Sequence, residues 1–191
     1  MITQRFNTNI EWRNYWAPNH YIYGMFQLIE YLEIHIKHER HTEMIEIGSY
    51  MGESTMLFAS SGLFNRITCI DPFEGDEEFN HLFNYTWDEV YSEFLMNTRY
   101  FNDIITLHKD YSHEINHIYK DMAYDFIYLD GSKKYEDVKK DLELYLPKLK
   151  DDGIIGGHGY QEQFGGVIKA VNELVGEPDK IFRDYSWVKK L

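Results

Sequence analysis

The run Glu46-Ile47-Gly48-Ser49-Tyr50-Met51-Gly52-Glu53-Ser54-Thr55 gathers residue types that can hold a ligand. An acid precedes two glycines spaced four apart, and small hydroxyl residues follow. Gly48 would let the chain turn sharply and let a ligand approach the backbone, and Gly52 would do the same where a helix begins. The start of that helix favours negative groups of a ligand. The spacing is G-x-x-x-G, not the G-x-G-x-x-G of dinucleotide binders. A carboxylate two residues ahead of Gly48 suits an ammonium group better than a pyrophosphate. Asp71 follows 23 residues after Gly48. A carboxylate there can accept two hydrogen bonds from vicinal ribose hydroxyls. An ammonium group and a ribose without phosphates describe S-adenosylmethionine (SAM).

These residues need strands and turns to position them. Met44–Ile47 reads as a buried strand closed by Gly48, and Glu53–Ala59 as the start of a helix. Arg66–Asp71, Ile104–His108, Asp125–Asp130 and Gly153–His158 read as further strands. Tyr135, Val138, Leu142 and Tyr145 are spaced three, four and three apart, which predicts an amphipathic helix over Lys134–Leu146. Ile22, Met25, Ile29, Leu32 and Ile36 give the same period in a helix from Tyr21 to about His38. A helix is also expected over WDEVYSEFLMNTRYF and over Gly166–Val175, and two short strands near Lys180–Arg183 and Trp187–Lys189. Short apolar strands alternating with helices indicate an α/β domain with a mainly parallel sheet covered on both faces. In such folds the ligand lies beyond the carboxyl ends of the strands. Those ends carry Glu46 and Gly48, Asp71, Asp110, Asp130 and His158.

Composition narrows the partners. The 191 residues suit one domain: an arm over 1–20, a leading helix over 21–41 and a core over 42–191. Thirty-two acids against 19 Lys and Arg give a formal net charge of −13, which disfavours nucleic acid and anionic membrane surfaces. Cys69 is the single cysteine, so no intrachain disulfide forms. With no secretion signal and no apolar run of membrane-spanning length, a cytoplasmic location is expected.

The ordered segments EIGSYMGEST, CIDPFEGD, YDFIYLDGSKKYEDVKKDLELYLPKLKDDGIIGGHGY and GGVIKAVNEL resemble a class I SAM-dependent methyltransferase. Within that superfamily the chain is similar to the small-molecule O-methyltransferase group that includes macrocin-type and catechol-type enzymes. The resemblance implies a three-layer Rossmann-like fold with a seven-stranded, mostly parallel sheet whose last strand is antiparallel. It implies that Glu46, Gly48, Ser49, Tyr50, Gly52 and Ser54 surround the methionine half of SAM. Asp71 would hold the ribose, and Asp110, Tyr111 and Ser112 would lie near the adenine. Asp130 would face the reaction centre.

Two positions depart from that group. Its D-G-x-H-x-Y pattern reads Asp130-Gly131-Ser132-Lys133-Lys134-Tyr135 here, and its H-D-Y reads His158-Gly159-Tyr160. Metal-dependent relatives hold Mg²⁺ with two aspartates. With Asp130 alone the oxygen ligand set is poor, so tight Mg²⁺ binding is not expected. In catechol-type enzymes a lysine three residues after the corresponding aspartate is the general base, which is the place of Lys133. That role requires a pKa lowered by burial or a second cation. His158 is the alternative base, since its ordinary pKa already suits neutral pH.

The expected function is methyl transfer from SAM to a small-molecule acceptor, a hydroxyl of a sugar or related metabolite, with Asp130, Lys133 and His158 lining the acceptor site. The alternative is a SAM-binding interaction protein of the same fold with weak or no catalysis. Several residues also have plainer readings: Asp130 as a helix cap, Lys133 as a solvated side chain, His158 as a satisfied strand-end group, and Cys69 as a small buried hydrophobe. His35, His38 and His41 are expected on an exposed helix end. The run Glu74–Glu78 is a solvated loop or a lid over substrate. The aromatic arm could pack on a second copy in a homodimer.

Overall fold

The computed structural model describes residues 19–37, 41–75 and 85–191. Most of the arm over 1–20, His38 and most of the acidic run after Glu74 lie outside the described residues, and with them the expected lid and homodimer contact.

The elements follow the expected order, with one short helix added between the third and fourth strands. They are α1 (Asn19–His35), β1 (Glu43–Ile47), α2 (Glu53–Ser61), β2 (Arg66–Ile70), α3 (Trp87–Thr98), β3 (Ile105–His108), α4 (Ser112–Ile115), β4 (Tyr124–Leu129), α5 (Tyr135–Tyr145), β5 (Leu149–Gly157), α6 (Gly165–Leu174), β6 (Lys180–Ile181) and β7 (Trp187–Lys190). The seven strands form one sheet in the order β3-β2-β1-β4-β5-β7-β6. β3, β2, β1, β4 and β5 pair in parallel, whereas β7 runs antiparallel to β5 and to β6. The sheet is therefore mostly parallel with an antiparallel last strand. No helix among the described residues is long and apolar enough to cross a membrane.

Strand alternation divides the core into two layers. Met44, Ile67, Cys69, Phe126, Tyr128 and Val188 pack beneath α1, α2 and α3. Ile45, Ile70, Ile127, Leu129, Ile155 and Trp187 pack beneath α4, α5 and α6. β4 is buried along its whole length, as a central parallel strand covered on both faces must be. β5 starts four residues before the expected Gly153. Its polar first half is held by Leu149 opposite Tyr124 and by Lys150 Nζ, 2.7 Å from Asp125 Oδ2. Hydrophobicity alone does not mark that half as strand.

The chain leaves β1 for β2 on one side and returns to β4 on the other, so the sheet's topological switch point lies between β1 and β4. Gly48 sits at that point with φ +83°. A Cβ there would stand 2.5 Å from Gly131 N and 2.6 Å from the Asp130 carbonyl carbon and oxygen. Glycine is required twice over, by the left-handed backbone and by the close approach of the β4 turn.

The turn after β1 is built around Glu46, which is wholly buried. Its carboxylate accepts hydrogen bonds from Ser54 Oγ (2.6 Å), Ser49 Oγ (2.9 Å) and Thr55 Oγ1. Three hydroxyls thus tie the strand to the turn and to the first turn of α2. Burial pushes the Glu46 carboxyl up to about 7 from 4.5, against the opposing pull of those hydroxyls.

Two predictions follow from this turn. Gly48→Ala should lower stability by more than about 2 kcal/mol, through strain and overlap together. Gly62→Ala, also at positive φ (+70°) but with nothing within 4 Å of a Cβ, should cost about 1 kcal/mol. Equal losses in thermal unfolding would contradict the close approach. The second concerns pH. Glu46 binds its proton more tightly folded than unfolded, so folding is favoured below 4.5 and loses ground as pH rises to about 7. Relative to Glu46→Gln, the natural chain should lose about 3 kcal/mol across that window in urea unfolding. A pH-independent difference between the two would refute the buried carboxyl.

Candidate active site

The carboxyl ends of β2, β1 and β4 bring Asp71, the Gly48–Gly52 turn and Asp130 side by side. Asp71 is buried just beyond β2. Its Oδ2 accepts from Tyr50 N (2.8 Å) and its Oδ1 from Phe73 N (2.7 Å). Burial raises its pKa and these backbone donors oppose the rise. The bonds hold two residues in left-handed conformations, Tyr50 at φ 45° and Phe73 at φ 49°. Left-handed backbone at non-glycine residues persists only where surrounding contacts impose it, and it clusters at ligand sites. Each Asp71 oxygen retains lone-pair capacity beyond its backbone donor.

Glu46, Ser49 and Ser54 are engaged with one another, as described above, so they shape the turn from within. Asp130 is close enough that its charge adds to the rise of the Glu46 pKa. Asp110, Tyr111 and Ser112 follow β3. Asp110 Oδ1 accepts from Tyr111 N at 2.8 Å, and Tyr111 pairs with Glu74 of the loop after β2, which raises its pKa. Ser112 faces α5 instead: its hydroxyl donates to Asp141 Oδ1 at 2.5 Å. Burial lifts Asp141 to about 6.

Asp130 stands at the end of β4 beside Lys133 and His158. Lys133 Nζ donates to Asp130 Oδ1 at 2.6 Å and to the Gly131 carbonyl at 3.1 Å. His158 Nδ1, at the end of β5, lies 3.4 Å from the same Oδ1. All three side chains remain about one fifth exposed. Burial alone would raise the Asp130 carboxyl, but Lys133 and His158 outweigh it and hold it below the usual range. Burial alone would favour a neutral His158 ring, but Asp130 outweighs it and raises the pKa, with a further contribution from Asp184. Mg²⁺ takes hard oxygen ligands, and here it would compete with Lys133 for a single carboxylate. Among the described residues no group of three or more His, Cys, Asp or Glu side chains could hold a metal ion.

Three contributors are invisible in the strand-end pattern. Asp184, in the turn between β6 and β7, is buried and bonded to Ser186 N (3.1 Å) and Ser186 Oγ (2.8 Å). A Cβ on Gly24 of α1 would lie 2.1 Å from its Oδ1, so α1 meets this turn at a glycine. Trp187 is buried on β7, and its Nε1 has no hydrogen-bond partner among the described residues. It lines a small cavity behind Asp130 with Leu129, Asp141 and His158. Thr55 completes the Glu46 cage. Its position in the first turn of α2, beside Ser54, was the one available sequence signal.

Known proteins share this fold. A family model described as a methyltransferase domain matches residues 45–160, more than half of the chain. An uncharacterized protein of Sinorhizobium fredii is 27% identical over 124 residues, 62% of this chain but 13% of that much longer protein. CalS11, a TDP-rhamnose 3'-O-methyltransferase of calicheamicin biosynthesis, superposes with a TM-score of 0.60 at 15% identity, covering 90% or more of this chain (91%) and 80% of that one. Phosphoethanolamine N-methyltransferase 1 of Haemonchus contortus, solved with phosphoethanolamine and S-adenosylhomocysteine, superposes at 0.56 with 10% identity, over 78% of this chain and 28% of that one. At such identities the two structures speak for the fold. The match to the family model decides the rest: the chain belongs to the methyltransferase domain family, on the SAM-dependent methyltransferase fold.

Proposed function

We propose that this chain transfers the methyl group of SAM to an oxygen of a small molecule, a hydroxyl of a sugar or related metabolite. The observation that carries the reading is the pair of acids on either side of β1: Asp71 beyond β2 and Asp130 beyond β4 flank the Gly48–Gly52 turn at the switch point. Ligands of open α/β sheets bind in that crevice. In this reading Glu46, Gly48, Ser49, Tyr50, Gly52 and Ser54 frame the methionine half. Asp71 takes the ribose hydroxyls on its remaining lone pairs. Asp110, Tyr111 and Ser112 border the adenine, and Ser112 acts through the backbone it sets rather than through its engaged hydroxyl. Asp130 lies between donor and acceptor, with Lys133 and His158 on the acceptor side.

Oxygen is preferred as the acceptor atom because the sequence resembles the small-molecule O-methyltransferase group. The sugar reading draws on the rhamnose methyltransferase that shares the sheet. An alcohol is a weak nucleophile until it loses its proton. A neutral hydroxyl would have to pass that proton to Lys133 or His158, both of which stand on Asp130.

Isothermal titration with SAM and with S-adenosylhomocysteine tests the cofactor half. Both should bind, and Asp71→Ala should weaken each by about ten-fold or more through loss of charge-assisted hydrogen bonds. No detectable heat with either ligand would remove the proposal. Transfer of a labelled methyl group tests the acceptor half. Asp130→Ala should reduce it by about a hundred-fold or more, and unchanged turnover would take Asp130 out of the site.

A further inference from the structure

Asp184 is a buried carboxylate to which the methyl-transfer reading gives no role. It sits in the turn between β6 and β7, against the bare backbone of Gly24 in α1, where a Cβ would lie 2.1 Å from its Oδ1. Glycine inside a helix weakens that helix, and here it makes room for an acid. Ser186 N and Ser186 Oγ donate to the two Asp184 oxygens. A serine has one O–H, so Tyr128 is the donor in its 3.0 Å contact with Ser186 Oγ. One line of hydrogen bonds thus runs from β4 to the turn. In the same turn Tyr185 is left-handed at φ 65°, and its carbonyl accepts from both Gly159 N (3.1 Å) and Tyr160 N (3.0 Å). The loop after β5 is therefore pinned to the turn. That loop also carries the Lys133 stem, since a Cβ on Gly159 would stand 3.2 Å from Lys133 Cδ and Cε.

Strand register shows what this turn stands beside. Leu129 pairs with Gly157, and Gly157 with Trp187. One step further, His158 N donates to the Leu129 carbonyl at 3.0 Å, which sets His158 abreast of Asp130. The bond from Gly159 N to the Tyr185 carbonyl sets His158 abreast of Ser186. The latter is a non-hydrogen-bonded antiparallel pair, with Cα atoms about 4.5 Å apart. Tyr128 and Val188, each two residues away along β4 and β7, lie in the core beneath α1. Side chains alternate along a strand, so Asp130, His158 and Ser186 turn toward that same side. His158 therefore stands between two acids. Asp130 Oδ1 lies 3.4 Å from its Nδ1 on the β4 flank, and Asp184 lies behind the Ser186 hydroxyl on the β7 flank. Lys133 is the cation nearby, on the same Asp130 oxygen, and Asp141 of α5 shares a cavity wall with the ring. α1 meets the turn with uncharged Gly24 and Met25. Asp184 and His158 act on each other electrostatically.

We propose that Asp184 is a positioning residue of the acceptor site, which supports His158 from the β7 side as Asp130 does from the β4 side. This rests on the methyltransferase reading, which makes that ring part of the acceptor site, and extends the site to α1 and the β6–β7 turn. Asp184 acts by two routes. Its bonds to Ser186 shape the turn whose Tyr185 carbonyl fixes the loop after His158. Its charge, buried against α1, favours a proton on the ring. A proton that leaves an acceptor hydroxyl for His158, as the oxygen attacks the methyl carbon, would enter a site lined by two carboxylates. Ser186, whose hydrogen is spent on Asp184, holds the acid and not the acceptor.

The test follows the His158 imidazole by NMR in the full chain labelled at histidine Cε1, through a pH titration, with the signal identified by its loss in His158→Gln. Asp184→Asn keeps the size of the side chain and removes its charge. It should lower the His158 midpoint by about half a pH unit or more, a proton held about three-fold less tightly. Ser186→Ala, which releases the carboxylate but keeps its charge, should lower the midpoint by less. His113 in α4 and His117 just after it should keep their midpoints, which a general loosening of the fold would not allow. S-adenosylhomocysteine affinity should stay within about two-fold in Asp184→Asn, since the donor lies toward β1 and β2. A His158 midpoint that does not fall in Asp184→Asn overturns the inference, as does one that moves together with those of His113 and His117. If Asp184→Asn does not fold, Ser186→Ala decides, and an unchanged midpoint there overturns the inference. Absence of S-adenosylhomocysteine binding to the natural chain would instead overturn the methyltransferase reading, and with it the acceptor role of this ring.

Discussion

The contact between the turn after β1 and the turn after β4 governs everything that faces the crevice. Gly48 lies so near the Asp130–Gly131 peptide that no side chain fits between them. This contact brings a loop from one half of the sheet against a loop from the other. The Glu46 cage then fixes the remaining freedom, because three hydroxyls from the turn and from α2 converge on one buried carboxyl. Backbone proximity sets where the site is, and the buried carboxyl sets its shape.

Charge is distributed unevenly around that centre. On the β2 side, Asp71 is anchored by backbone N–H groups, which hold a carboxylate in place without neutralising it. On the β5 side, Asp130 is matched by Lys133 and His158. A cationic, sugar-bearing donor suits the first environment.

Much of this was legible in the sequence because the physics is local. Four strand-end residues, Gly48, Asp71, Asp130 and His158, stand beside buried apolar runs, and the period-two and period-3.6 patterns find those runs. The positive φ of Gly48 follows from its place after a strand. Other features depend on contacts distant in the chain. Glu46 reads as a ligand group from its spacing, yet its hydroxyl cage is visible only when α2 is folded over β1. Asp184 lies in a hairpin turn with no motif, and its burial depends on α1 arriving at Gly24. The link between Lys133 and Gly159 spans two loops, so each reads separately as a departure from the related pattern. The first half of β5 carries no strand pattern because Lys150, Asp151 and Asp152 are polar and fall in the register irregularity between the Leu149–Tyr124 and Ile154–Phe126 pairs.

The most direct measurement is a crystal structure of the chain grown with S-adenosylhomocysteine. The expected density lies between the Gly48–Gly52 turn and Asp130, with both ribose hydroxyls on the Asp71 carboxylate and the thioether sulfur directed toward the Lys133 side. Density elsewhere on the sheet, or a crevice left empty while Asp71 keeps only its bonds to Tyr50 and Phe73, would contradict the placement of the donor between the two acids.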